Sequence, residues 1–195
     1  MDEMIKVAKD FAINRHIMCG CMYGQEPYSV HLQDVVDNAE EFLALPYYLV
    51  RGPKYRVKIV SACWGHDLFE DCRVTYNDLV HMFTGASWDS GIHLHDATEM
   101  AFDIANLVYN VTNELGKDRT ERALRTYPKI RTDDDAVFVK GMDRMANTKH
   151  SKKTGSSMHK KYLKEYPIFR YSLRTRNIHT AVWDELDAIH EYKEN

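Results

Sequence analysis

No apolar run in these 195 residues approaches the ~18 needed to span a bilayer. The amino-terminal MDEMIKVAKDF carries acids where a secretory leader carries only bases. Together these absences predict a cytoplasmic chain with no membrane partner. The four cysteines, Cys19, Cys21, Cys63 and Cys72, contain no C-x-x-C pair. That argues against a zinc knuckle and predicts free thiols in a reducing compartment. Neither sign of charge is in large excess: the formal charge is −3, and a dedicated nucleic-acid groove normally shows as a strongly basic domain. No internal repeat and no low-complexity stretch breaks the chain. With 28% charged and 44% hydrophobic residues, the composition is that of an ordinary globular protein, and residues 1–195 are expected to form a single domain.

What the chain does have is helical spacing almost throughout. Met4, Val7, Ala8, Phe11 and Ala12 predict an amphipathic helix from Glu3 to Met18. Pro27 predicts an extended or turn conformation, with Ser29 as the cap of a helix carrying His31 in its first turn and running through Leu43. Pro46, Gly52 and Pro53 mark Leu45 to Tyr55 as a connection. The run from Val57 to Trp64 is nearly all apolar, and without partner strands in view it reads as a buried helix. Thr75 caps a short helix. Gly85 to His95 reads as an exposed excursion, and Asp96 or Thr98 as the cap of a helix through Val111. A charged helix should end at Pro128, and Thr132 or Asp133 should cap the next. SKKTGSS reads as a basic loop, Met158 to Leu173 as a helix kinked or restarted at Pro167, and Ile178 to Tyr192 as the last helix. The class is all-α, a helical bundle.

The chemistry concentrates in SACWGHDLFED, Ser61 to Asp71. A buried helix that ends on adjacent His66 and Asp67 delivers an imidazole and a carboxylate to the interior. A cation offsets the cost of burying that charge. Glu70 and Asp71 follow at i+3 and i+4 from Asp67, over the same helical face. His95-Asp96 with Glu99 repeats the spacing, and His93 adds an imidazole, but that copy starts a solvated helix and ranks lower. Asp143, among Val, Phe, Gly and Met, reads either as a buried ligand or as a partner for Arg144.

Taken in order, EPYSVH, HDLFED, VTNELGKDRTER and VKGMDRMANTKH resemble the HD-superfamily hydrolase domain of the RelA/SpoT alarmone enzymes, most closely the stand-alone small alarmone hydrolases. His-Asp-x-x-Glu-Asp and Lys-x-x-Asp-Arg-x-x-Asn are the specific strings, and the resemblance runs from about Glu3 to Tyr166. It implies that His31, His66, Asp67 and Asp143 hold one divalent cation, usually manganese, in a helical core. It implies that Glu70 and Asp71 orient or activate the attacking water. Asn147 and Tyr166 would contact a nucleotide, with Lys160 or Lys161 as a basic contact. The implied activity removes the 3′-pyrophosphate of a guanosine tetra- or pentaphosphate. The alternatives are an NADPH 2′-phosphatase or other HD nucleotide phosphohydrolase, and a nucleotide-sensing module without catalysis. A homo-oligomer is left open. Where relatives carry basic residues ahead of the first His, this chain has Met22 and Tyr23, which makes Tyr23 the candidate for stacking on the base.

Overall fold

The computed structural model describes residues 2–89, 94–176 and 178–193. It is all-α: among the described residues the only strands are two residues each. None of the described helices is long and apolar enough to cross a membrane. The chain divides into two compact units, Met1–Thr112 and Asn113–Asn195.

The first unit is built around a buried helix. Its elements are α1 (Asp2–Met18), the hairpin β1 (Met22–Tyr23) and β2 (Glu26–Pro27), α2 (Tyr28–Leu43), α3 (Pro46–Leu49), α4 (Gly52–Gly65), α5 (Leu68–Asp71), α6 (Tyr76–Asp89) and α7 (Leu94–Val111). Helices α1, α2 and α7 all pack on α4. From Ile59 to Gly65 every residue of α4 is buried, which is why its apolar run shows no amphipathic break. Deleting a side chain here, Ile59 for instance, leaves a cavity costing ~2–5 kcal/mol. The hairpin pairs Met22 with Pro27 and Tyr23 with Glu26. Its two-residue turn uses Gly24 at φ +65°, a conformation other L-residues resist.

The second unit comprises α8 (Arg119–Ile130), α9 (Asp134–Lys153), α10 (Met158–Leu173) and α11 (Thr180–Ile189). Helix α9 touches the other three. Gly141 lets α11 approach closely, since a Cβ there would meet Val182 Cγ1 at 3.3 Å. Asp133 caps α9, accepting from the amides of Asp135 and Ala136 at 2.9 and 3.4 Å.

Several expected boundaries move. Leu45 to Tyr55 is not a plain connection: Pro46 and Pro53 open α3 and α4, in first-turn positions where a missing N–H loses no bond. Pro27, at φ −57° and ψ 144°, takes the cap position expected of Ser29, so His31 is the fourth residue of α2. Helix α6 continues through Gly85 to Asp89, and α7 starts at Leu94, ahead of both proposed caps. His93 lies outside the described residues. Helix α8 passes Pro128 and ends at Ile130. Lys152 and Lys153 belong to α9, with the turn at Thr154 and Gly155. Helix α10 is continuous through Pro167, and α11 is shorter at both ends than expected.

Candidate metal centre

Helix α4 stops at Gly65. His66 still has helical angles, but Asp67, at φ −101° and ψ 0°, turns the chain before α5 begins at Leu68. The turn has little room to shift, because a Cβ on Gly65 would meet Val108 Cγ2 of α7 at 3.3 Å. It aims the two neighbouring side chains together: His66 Nε2 lies 2.8 Å from Asp67 Oδ2. His31 arrives from α2, its Nε2 3.2 Å from His66 Nε2 and 3.4 Å from Asp67 Oδ2. Both imidazoles are 2% exposed. These three side chains form a buried group that could hold a metal ion.

The triangle has the right size. Donor atoms bound at ~2.1 Å sit ~3.0 Å apart when adjacent in an octahedron and ~3.4 Å apart in a tetrahedron, and the observed edges span that range. Two imidazoles and one carboxylate on one face suit Mn, Fe, Co or Zn and leave positions for other ligands. His66 Nδ1 donates to the carbonyl of Cys63 at 2.8 Å, which turns Nε2 to the triangle. Burial pushes the Asp67 carboxyl up, but the adjacent His66 and His31 outweigh it and hold the group well below the ordinary carboxylate range. Asp67 therefore stays an anion.

Aromatic rings surround the three donors. The Tyr28 hydroxyl donates to Asp67 Oδ2 at 2.6 Å. Its ring meets His31 edge-on at 5.3 Å and stacks on His16 of α1 at 4.5 Å, with 5° between the planes. Tyr23, carried by β1, lies with its ring 4.8 Å from that of His31. Glu70 and Asp71 stand one turn beyond Asp67, whose carbonyl accepts from their amides at 3.2 and 2.9 Å. Both are exposed. Partial burial and the charge of Asp67 push the Asp71 carboxyl up, against a hydrogen bond from Tyr28.

Tyr28 and His16 escaped the sequence reading. Tyr28 had a usable signal, since it stands three residues before His31 on the same face of α2. His16 had one too, as the polar end of the Met4, Ala8, Ala12 stripe of buried α1 positions.

The remaining candidates are in the second unit. Asp143, 8% exposed, pairs with Lys140 Nζ at 2.8 Å and accepts from Asn147 Nδ2 at 2.5 Å. Arg144 binds Glu165 instead, at 3.2 Å, so the reading of Asp143 as its partner is corrected. Lys160 and Lys161 are exposed on α10. Tyr166 is corrected more sharply. It is 1% exposed, donates to Asp187 at 2.5 Å and stacks on His190 at 3.8 Å, so it is a core residue with no face to offer a nucleotide.

His95, Asp96 and Glu99 also gather at the start of α7. The His95 side chain is 90% exposed and 3.9 Å from Asp96, so these donors keep their water and have little to gain from a cation. No family model matches the chain, and no curated protein or solved structure matches it either.

Proposed function

We propose that the protein is a metal-dependent phosphohydrolase of nucleotides, with His31, His66 and Asp67 as cation ligands. The observation that carries this reading is the convergence of three donor atoms within 3.4 Å, one of them on an imidazole whose tautomer is fixed by Cys63. A bound divalent cation, Mn²⁺ in the first instance, would supply a Lewis acid for a phosphoryl oxygen. The residues of this chain do the rest. Glu70 takes a proton from the attacking water, and Asp71, whose carboxyl is pushed up by partial burial and the charge of Asp67, handles the proton on the leaving side. Tyr23, its ring 4.8 Å from that of His31, is the residue on which a base would stack.

The HD-x-x-ED and K-x-x-DR-x-x-N strings, through their resemblance to the alarmone hydrolases, support a 3′-pyrophosphate nucleotide of the guanosine tetra- or pentaphosphate type as substrate. Water adds to the phosphorus and the bond to the 3′-oxygen breaks. The products are pyrophosphate and GDP or GTP. A cytoplasmic setting belongs with such a substrate. A manganese-supplemented screen of nucleotides tests the reading, with pyrophosphate and orthophosphate measured separately. Pyrophosphate from 3′-pyrophosphate nucleotides is the expected result. Orthophosphate from NADPH would reassign the enzyme as a 2′-phosphatase. Nucleotide binding without turnover would make the protein a sensor and overturn the proposal.

A further inference from the structure

We infer that Tyr28 is the positioning residue of this centre, and that His16 holds Tyr28 in place. The inference rests on the reading of His31, His66 and Asp67 as cation ligands. Asp67 Oδ2 is the atom on which everything meets: it is 2.8 Å from one imidazole, 3.4 Å from the other and 2.6 Å from the Tyr28 hydroxyl. A carboxylate rotates easily about its last bond. The phenol, a neutral donor, fixes that rotation without occupying an imidazole nitrogen. The role is that of the outer partner which orients a ligand carboxylate.

Tyr28 is itself poorly constrained by its helix. It is the first residue of α2, directly after Pro27, where no side chain caps the helix. Its ring is held from both sides, edge-on by His31 and face-on by His16. His16 is an expensive choice for a mere filler. It is 1% exposed, and its Nε2 is buried with no hydrogen-bond partner among the described residues. An orphaned buried nitrogen destabilises a fold, whereas a phenyl ring of similar shape would not. What the imidazole adds is its other nitrogen. Nδ1 donates to the Ala12 carbonyl at 2.8 Å and ties the plane of the ring to α1, so the Tyr28 ring stacked on it inherits a fixed plane.

The test is calorimetric titration of Mn²⁺ into the wild type, Tyr28→Phe, His16→Ala and the double variant, with metal-free unfolding followed on the same samples. Tyr28→Phe keeps the stack and deletes only the hydroxyl. Its Kd should rise ~10- to 100-fold, the usual cost of losing an outer partner. His16→Ala should raise Kd by at least fivefold, and in the Tyr28→Phe background it should add less than twofold. A purely structural role would lower the unfolding midpoint and leave Kd alone. A Kd within twofold of wild type in Tyr28→Phe overturns the inference. Fully additive losses in the double variant overturn the part assigned to His16. If His16→Ala does not fold, His16→Phe takes its place, keeping a ring but not the tie to Ala12, and a wild-type Kd there overturns the part assigned to His16. Wild type that binds no Mn²⁺ sinks the metal reading and this inference together, whereas binding unchanged by Tyr28→Phe sinks the inference alone.

Discussion

His66 enters the centre with one nitrogen already committed to the Cys63 carbonyl, so its other nitrogen is the one turned to the triangle. His66→Ala should therefore reduce Mn²⁺ affinity below calorimetric detection, because the remaining pair cannot close the triangle. His95→Ala should leave affinity untouched, since that side chain is solvated. A loss of metal in the second variant would mean that the wrong His-Asp pair had been chosen. Glu70→Gln asks a different question. An amide keeps the shape of the carboxylate but does not accept a proton, so the variant should retain Mn²⁺ and lose ~10²- to 10⁴-fold in turnover. Wild-type turnover with metal bound would reduce Glu70 to a surface residue of α5. His66 and Asp67 were legible in the sequence because a buried run ends on an adjacent imidazole and carboxylate, whereas His31 was singled out as a ligand only by the family resemblance. Tyr28 and His16 each had a spacing signal within their own helix, but the ring-on-ring contact that joins them across α1 and α2 leaves no trace in either spacing. Tyr166 failed for a related reason: nothing in its sequence neighbourhood announces the distant Asp187 and His190 that bury it.

Among the elements, the long periodic stretches were the legible ones: α1, α2, α9 and α10 follow their apolar stripes, and Asp133 caps α9 as its position suggested. The errors cluster at proline. Pro46 and Pro53 open helices rather than interrupting a connection. Pro128 and Pro167 lie on exposed faces inside helices, where the carbonyl deprived of a donor can turn to water. The breaker rule counts the lost bond, but whether that loss matters depends on burial, which a single sequence does not display. On the proposed function, the hairpin β1–β2 is the element that bears on base preference. It carries Met22, 58% exposed, and Tyr23 beside His31. Stacking is worth ~1–3 kcal/mol per base and tolerates any π-face. Guanosine and adenosine 3′-pyrophosphate nucleotides should accordingly be hydrolysed with kcat/KM values within about tenfold of each other, roughly 1.4 kcal/mol. A thousandfold preference for guanosine on one preparation would show that polar groups elsewhere read the base edge.

At the scale of the molecule, the formal charge of −3 conceals two opposite halves. Residues 1–112 carry 8 Lys and Arg against 16 Asp and Glu, whereas residues 113–195 carry 18 against 13. Acid therefore relieves self-repulsion in the first unit and increases it in the second. The second unit also buries His190, which donates through Nδ1 to the Leu186 carbonyl and lies 3.0 Å from the Thr148 hydroxyl. Burial, aided by the nearby Arg144, pushes its imidazole down to about 4, against opposing help from the Leu186 carbonyl. Between pH 6.5 and 4 the unfolded chain binds a proton at this position and the folded one does not, so stability falls as pH falls through that window. For a shift of this size the loss at pH 5 is about 2 kcal/mol. His190→Phe keeps a ring against Tyr166 and removes the titration. Hydrogen exchange at pH 7 and pH 5, corrected for intrinsic rates, should show protection in α10 and α11 dropping in the wild type and holding much better in the variant. An equal drop in both proteins would trace the acid sensitivity to the excess positive charge of the unit instead of to its buried histidine.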